Sequence, residues 1–313
     1  NIYLKLDSNL QVIHSTIDTS TLYGIEPTSD KLFYAFENQF TPYQQYVIGN
    51  LPGVDLVTQS RDRGTCLQSI EIKLTALPDH TTCDLAEDNY GCEIVIRPDT
   101  IVYLACSIID SFKGKLDLLK NILDLYPISI DDWTEPSSVI PNIPRMIEAL
   151  DAISLSLLDC QKPLLMQPVW KTIGKSPKLA ENCLDVFIWS DLAFTRLFVN
   201  LVKSEIDTYG NCRSIARHTR TSIWLFKMID DFSKHSAFNH RKIIDSLSYN
   251  TKNDKAFAVS GRVTQPYMKS PSLTKPRIRQ SEIKNIILGG GQNLLSPERR
   301  FDAIVYNSSD LFD

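Results

Sequence analysis

The segment from Pro52 to Thr75 constrains the fold most, because apolar and polar residues alternate along it in two short runs. Alternation with a period of two residues places the two sets of side chains on opposite faces of a β-strand. Between the runs stands the polar stretch Arg61-Asp62-Arg63-Gly64, which ends in the residue that adopts a positive φ angle most freely. The segment is therefore predicted to form a β-hairpin.

The predicted hairpin gathers three charged residues. Glu71 and Lys73 are two residues apart on the second strand and share a face, and pairing with the first strand can bring Asp55 beside them. Carboxylates held this close repel each other, and a divalent cation bound by their oxygens relieves the repulsion. Such a cation suits phosphodiester hydrolysis, since it acidifies a bound water and neutralises phosphate charge while a lysine orients the nucleophile. The alternative is a surface hairpin with solvated charges, because short motifs also arise by chance.

Three sequence blocks within the first hundred residues resemble a known family. They are AFENQFTPYQQYVIG at 35–49, LPGVDLV at 51–57 and EIKLTALPDHTTCDL at 71–85. The set Asp55, Glu71 and Lys73 resembles the active site of the PD-(D/E)xK nuclease superfamily, although Gly53-Val54 stands where that motif has its proline. The three blocks in order resemble type II restriction endonucleases of the HindVP kind.

The resemblance implies Mg²⁺-dependent, sequence-specific hydrolysis of phosphodiester bonds in double-stranded DNA. It implies that Asp55 and Glu71 hold the metal ion, that Lys73 is catalytic, and that Glu37 in the first block joins them. For Glu37 the alternative is a solvated residue on a helix surface. The family also suggests a homodimer acting on a short palindrome of the GRCGYC type, and a cognate methyltransferase that makes no direct contact.

Two other functions remain open from the sequence. One is another nuclease of the same superfamily, acting in repair or on DNA junctions. The other is a DNA-binding module whose hairpin charges hydrolyse nothing.

Charge is distributed unevenly along the chain. The net charge is −4 overall, but it is −8 over residues 1–100, −3 over 101–200 and +7 over 201–313. A polyanion such as DNA is expected to contact the last third. The arginines predicted to contact DNA are Arg213, Arg217, Arg220, Arg262, Arg277 and Arg279. The first three follow helical spacing and share one face, for which a solvated basic surface is the alternative.

The pattern of elements predicts an α/β fold, with a mixed central sheet flanked by helices and a helical and loop-rich C-terminal half. The resemblance implies that this sheet is restriction-endonuclease-like. Helices are predicted at 29–40, 98–126 and 144–160 and from 191 onwards, short strands at 164–170 and 184–189, and a connector at 128–142. Residues 1–200 are assigned to the nuclease core. Residues 201–313 are assigned to a basic region that contributes to the DNA groove, either separate or continuous with the core.

A cytoplasmic protein is expected. No uncharged apolar run approaches the roughly 18 residues of a membrane span, and the first residues lack the pattern of a signal peptide. The seven cysteines include no CxxC pair, which favours reduced thiols over a zinc site or a disulfide framework.

Overall fold

The computed structural model describes residues 2–6, 12–16, 29–70, 72–74, 94–160, 165–168, 170–173, 176–179, 185–188, 191–209, 215–249 and 257–259. The strands, numbered in chain order, are β1 (Ile2–Leu6), β2 (Val12–Thr16), β3 (Leu32–Asn38), β4 (Val54–Ser60), β5 (Cys66–Ile70), β6 (Ile72–Leu74), β7 (Ile94–Ile96), β8 (Leu165–Pro168), β9 (Trp170–Ile173), β10 (Ser176–Leu179), β11 (Asp185–Ile188) and β12 (Phe257–Val259). The α-helices are α1 (Pro98–Ser111), α2 (Leu116–Leu125), α3 (Pro136–Val139), α4 (Ile143–Ser156), α5 (Asp191–Tyr209), α6 (Arg217–His235) and α7 (His240–Ser246). Short 3-10 helices span Thr41–Tyr46, Ile140–Asn142 and Leu158–Cys160.

The chain divides into two units. The first comprises Asn1–Ile72, Val95–Leu164 and Ile188–Ala258, and the second comprises Lys73–Ile94, Leu165–Phe187 and Val259–Asp313. Both contain strands, and the first also contains helices, so the predicted mixed α/β class is confirmed.

A three-stranded antiparallel sheet in the first unit contains the predicted hairpin. Its order is β3-β4-β5, with β4 in the centre. The hairpin turn closes through the Gly64 N–H, which donates to the Ser60 carbonyl at 2.8 Å, and Gly64 has a φ angle of +61°. Glycine adopts that angle without the steric cost that a β-carbon brings. The hairpin prediction is confirmed for β4 and β5. The predicted second strand differs in its bounds, because β5 ends at Ile70 and Lys73 lies on β6, which pairs with β11 in another sheet.

The segment before the hairpin differs from its prediction, because residues 32–38 form a strand rather than part of a helix. Leu32 and Phe36 fit helical spacing, but a short apolar run of this length fits strand alternation equally well. Pairing of β3 with β4 decides the outcome, and it buries Leu32 and Ala35. Phe36 is left 73% exposed, which a core-facing helix position would not allow.

Helix α1 forms the core of the first unit. Pro98 occupies its first turn, where the missing N–H of proline is not needed. The side chains of residues 101–109 are all buried, and α1 contacts α5, α6 and the 3-10 helix Thr41–Tyr46. A helix that is apolar on more than one side is stable only when covered on more than one side. The helices predicted at 98–126 and 144–160 are present as α1 with α2, and as α4.

The last two helices of the first unit are joined by a short turn. Helix α6 ends at Ser236, which has a φ angle of +61° and donates its N–H to the Phe232 carbonyl. Asn239 then caps α7 by accepting the Lys242 N–H through its side chain at 3.0 Å. Helix α5 begins at Asp191, as the sequence predicts.

The second unit contains a sheet of order β6-β11-β8 and the antiparallel pair β9-β10. The strands predicted at 164–170 and 184–189 are confirmed as β8 and β11. They pair with β6 and not with β3, β4 or β5 among the described residues, so the prediction of one continuous central sheet is not met there. Among the described helices, none is long and apolar enough to cross a membrane.

Candidate active site

Asp55 is the second residue of β4, the central strand of the sheet in the first unit. Its side chain is half-buried. A central strand is hydrogen-bonded along both edges, and β4 is paired with β3 on one edge and, from Leu56 onwards, with β5 on the other. Asp55 therefore has a fixed position at an accessible end of the sheet.

Glu37 occupies the position across from Asp55. In the register of β3 and β4, Phe36 pairs with Leu56 and Asn38 with Val54, and Glu37 and Asp55 are the residues between them. Glu37 has a φ angle of +46°, a conformation that strains any residue with a β-carbon. Strain of this kind persists only where the surroundings enforce it, and it concentrates at functional sites. The sequence places Glu37 on a helix, whereas the structure places it, exposed, on an edge strand.

Gly53 lies against the backbone of Glu37. A β-carbon added at Gly53 would lie 3.2 Å from the Glu37 carbonyl oxygen and 3.4 Å from its carbonyl carbon. The 3.2 Å distance is a tight contact, so a side chain at Gly53 would need the Glu37 carbonyl to move by a few tenths of an ångström. The sequence motif singles out Asp55 but gives no such role to the glycine two residues before it.

The hydroxyl of Tyr103 bridges the two chain segments that flank this pair. The Phe40 N–H donates to Tyr103 Oη at 3.1 Å, and the hydroxyl donates to the Pro52 carbonyl at 2.8 Å. Tyr103 is a buried residue of α1. Sequence reasoning missed it, although a tyrosine within a fully buried apolar helix needs a hydrogen-bond partner for its hydroxyl, and that requirement is the signal that could have found it.

On the other edge of β4, Leu56 pairs with Ile70 of β5. Asp55 and Glu71 are the next residues along the two chains, and Glu71 lies outside the described residues. Lys73 is the middle residue of β6, and only its backbone is described. The described residues thus place Glu37 and Asp55 between the same two paired positions of adjacent strands, and they leave the other two predicted members of the site untested.

The donor atoms available at this end of the sheet suit a hard divalent cation. Carboxylate oxygens are the ligands that Mg²⁺ and Ca²⁺ prefer, and Glu37 and Asp55 supply two such groups from adjacent strands. Within the described part of the chain, no group of three or more His, Cys, Asp or Glu residues could hold a metal ion. Glu71, the third carboxylate that the sequence predicts here, lies outside the described residues.

The predicted DNA-contacting face of α6 is split by the packing of the helix. Arg217, its first residue, is half-exposed. The next residue, His218, forms an ion pair with Glu205 of α5 through Nε2 at 2.7 Å, which is charged when the imidazole is protonated. Arg217 is thus positioned where a phosphate can reach it.

Arg220, in contrast, is only 2% exposed and packs against the protein interior. Its guanidinium carbon lies 4.8 Å from the centre of the Trp224 ring, and Nη1 donates to the Ser248 carbonyl at 3.2 Å. Burial lowers the pKa of the Arg220 guanidinium, and the positive charge of Arg217 lowers it further. The physical reason is spacing: Arg220 precedes Trp224 by four residues and so lies on the core-facing side of α6.

The remaining predicted DNA contacts, Arg213, Arg262, Arg277 and Arg279, lie outside the described residues.

Comparison with known proteins gives matches along almost the whole chain. A family model described as HindVP restriction endonuclease matches residues 1–312. The chain is 49% identical over 312 residues to the probable type II restriction enzyme HindVP of Haemophilus influenzae, covering 99% of this chain and 82% of that protein. It is 41% identical over 312 residues to the type II restriction enzyme HgiDI of Herpetosiphon aurantiacus, covering 100% of this chain and 85% of that protein. No solved structure matches.

Proposed function

The chain belongs to the HindVP restriction endonuclease family, and from that premise we propose that it cuts double-stranded DNA at a short palindrome by Mg²⁺-dependent hydrolysis. It is a type II restriction enzyme, a site-specific deoxyribonuclease, and enzymes of this class act on double-stranded DNA. The palindrome is proposed to be of the GRCGYC type that the sequence resemblance suggests.

The observation that supports the proposed site best is the register of β3 and β4. It sets Glu37 across from Asp55 on adjacent strands, and the described pairing on the other edge of β4 ends next to Asp55 and Glu71. With Glu71, the carboxylates of Glu37 and Asp55 would make a set of oxygen donors for a divalent cation. Lys73 follows two residues after Glu71 and would supply the ammonium group.

Type II restriction enzymes generally need a divalent metal ion, and Asp55, Glu71 and Glu37 are proposed to hold Mg²⁺. When bound, the ion would supply charge neutralisation at the scissile phosphate and acidify a water molecule. Asp55 and Glu71 would fix the position of that charge. The Lys73 ammonium would orient the attacking water through its N–H donors and stabilise negative charge that develops on the phosphate.

DNA is proposed to lie along the basic last third of the chain. Among the arginines of α6, Arg217 is accessible for this role and Arg220 is not. Arg213, Arg262, Arg277 and Arg279 remain proposed contacts because they fall in the segment of net charge +7. Residues 1–200 are proposed to supply the chemistry and residues 201–313 most of the groove.

Further proposals follow from the family. The central sheet with its flanking helices is proposed to be the PD-(D/E)xK fold, supported by the β3-β4-β5 sheet and by the helix α1. A two-fold symmetric homodimer would match a palindrome with one active site per strand. A cognate methyltransferase is proposed to belong to the same system. A cytoplasmic location is proposed as well, and it agrees with Cys66 and Cys106, which form no disulfide.

A plasmid digest tests the proposed function. The purified protein is incubated with plasmid DNA and Mg²⁺, and the ends of the products are mapped by sequencing. Discrete fragments whose ends share one short sequence are expected, and a chelator should abolish cutting. The Lys73→Ala variant should bind the same DNA in Ca²⁺ without cutting it in Mg²⁺, since Ca²⁺ fills an oxygen site without supporting the reaction.

Three results would contradict the proposal. Full cleavage activity in Lys73→Ala would remove the proposed site. Cleavage that follows DNA junctions or lesions rather than a short sequence would indicate a repair or junction nuclease. DNA that is bound but never cut would indicate a binding module.

A further inference from the structure

The described backbone pairing of β3 with β4 ends at Asn38 and Val54, next to Glu37 and Asp55. Phe40 lies three residues after Glu37, and Pro52 lies three residues before Asp55, so the two are opposed if the register of β3 and β4 is continued. Pro52 has no N–H and cannot donate to the opposite chain. The one backbone bond still open to this pair runs from the Phe40 N–H to the Pro52 carbonyl, and the Phe40 N–H donates to Tyr103 Oη instead.

The Tyr103 hydroxyl fills the missing connection. It accepts the Phe40 N–H at 3.1 Å and donates to the Pro52 carbonyl at 2.8 Å, so one side-chain group joins the two opposed backbones. Tyr103 belongs to the buried helix α1, and its ring contacts that of Tyr43 at a centroid distance of 6.0 Å. A hydroxyl held by packing in this way fixes the separation of the strand ends.

Gly53, the residue after Pro52, is held against β3 by close contact rather than by a hydrogen bond. Gly53 approaches the Glu37 carbonyl so closely that a β-carbon would lie 3.2 Å from its oxygen. Glu37 itself has the strained φ angle of +46°. The side chain of Gln39, two residues after Glu37, also donates to the Leu51 carbonyl, which ties the same two segments once more. These contacts hold the chain that follows Glu37 against residues 51–53.

We propose that Tyr103 is a positioning residue of the nuclease site: with Gly53, it holds the ends of β3 and β4 in the register that opposes Glu37 to Asp55. This inference rests on the proposed function of these two carboxylates. Tyr103 is buried in α1, and it acts through the two strand ends by keeping the carboxylates at a separation that one cation can bridge. Loss of its hydroxyl should weaken metal binding before it affects the chemical step.

The test compares Tyr103→Phe with Tyr46→Phe. Tyr46 belongs to the same aromatic cluster, and its hydroxyl donates to Asp110 Oδ1 at 2.6 Å, away from the opposed strand ends. Each variant loses one hydroxyl and keeps its ring. Tyr103→Phe removes two hydrogen bonds and Tyr46→Phe removes one bond to a carboxylate, so both report the general cost of losing a buried hydroxyl. The readouts are Mn²⁺ affinity without DNA, measured by electron paramagnetic resonance, hydrogen exchange of the Phe40 amide, and cleavage rate against Mg²⁺ concentration.

In Tyr103→Phe, Mn²⁺ binding should weaken roughly tenfold, the loss typical when a group that orients metal ligands is removed. The Mg²⁺ concentration for half-maximal cleavage should rise by a similar factor, while the rate at saturating Mg²⁺ stays close to that of the wild type. The Phe40 amide should exchange faster because its acceptor is gone. Tyr46→Phe should match the wild type in Mn²⁺ affinity and in Phe40 exchange.

Gly53→Ala provides a second route to the same pair if Tyr103→Phe does not fold. Its new methyl group must displace the Glu37 backbone, so it should also weaken Mn²⁺ binding. The proposal is overturned if each of Tyr103→Phe and Gly53→Ala that folds binds Mn²⁺ with the affinity of the wild type. Failure of the proposed function is distinguishable: if Asp55→Asn cleaves DNA and binds Mn²⁺ normally, the site itself is wrong. If Asp55→Asn is inactive while Tyr103→Phe behaves like Tyr46→Phe, the site stands and only the positioning role fails.

Discussion

The carboxylate end of the β3-β4-β5 sheet and the basic helix α6 begin from the same kind of signal, charged residues at a regular spacing. At the sheet, Glu37 is exposed and Asp55 half-buried, and both occupy opposed positions. On α6, Arg217 is half-exposed while Arg220, three residues later, is buried against Trp224. One region keeps its charged groups together and accessible, and the other separates them.

The difference arises from how each element is held. A strand is positioned by hydrogen bonds to its neighbours, so the residues opposite one another are fixed by the backbone register. The direction of a helical residue depends on which stripe of the helix packs against the core. Arginine tolerates such burial because its stem packs with apolar groups and its guanidinium stacks on aromatic rings. Regular spacing therefore identifies neighbours in both regions but predicts accessibility in neither.

The largest expected effect is on the acidic side. Asp55→Asn should lower kcat/KM for cleavage by roughly a thousandfold or more, because a metal ligand supplies several kcal/mol of charge stabilisation at the phosphate. Asp62→Asn is the matched control, since Asp62 is an exposed carboxylate in the turn of the same hairpin. The measurement compares cleavage rates and thermal melting of Asp55→Asn and Asp62→Asn. Equal rates in the two variants would remove Asp55 from the site.

The next effect separates the two arginines by stability. Arg220→Ala should lower the free energy of unfolding by about 2–4 kcal/mol, since it removes a packed stem, the bond to the Ser248 carbonyl and the contact with Trp224. Arg217→Ala should stay within about 0.5 kcal/mol of the wild type. Urea unfolding measures both. A variant at Arg220 that is as stable as the wild type yet binds DNA poorly would make Arg220 a DNA contact after all.

The Arg217 change should be visible in DNA binding instead. If Arg217 contacts a phosphate, Arg217→Ala weakens binding to any sequence and reduces the dependence of log K on log salt by about one unit. Lys234→Ala, at the other end of α6, is the control and should leave that slope unchanged. Titrations in Ca²⁺ at several salt concentrations provide the measurement. An unchanged slope with altered sequence preference would contradict the phosphate contact.

Particular residues show how much the sequence could predict. Alternation and Gly64 together were sufficient for the hairpin, and helical spacing with Pro98 was sufficient for α1, because both signals are local. The strand at β3 could not be predicted this way, since its short apolar run fits two periods and the pairing with β4 decides. The position of Glu37 across from Asp55 depends on that pairing, and the roles of Gly53 and Tyr103 depend on contacts between distant parts of the chain. For Arg220, the four-residue spacing to Trp224 was available in the sequence and indicates burial better than the spacing to Arg217 indicates exposure.

The smallest expected effect extends the comparison to a third basic residue, the buried His240. His240, the first residue of α7, is 4% exposed. Burial lowers the pKa of its imidazole, the charge of Arg241 lowers it further, and Asp99 and Asp245 act in the opposite direction. The unfolded chain, with the ordinary pKa of about 6.5, therefore takes up a proton before the folded protein does as the pH falls. Stability from this group is fully present above that pH and decreases below it.

Urea unfolding between pH 7.5 and 5.5 should show a decrease in the free energy of unfolding that is smaller in His240→Gln than in the wild type. The exposed His235 on α6 gives the control: His235→Gln should keep the wild-type slope, and an equal slope in His240→Gln would mean that the buried imidazole does not control this pH dependence.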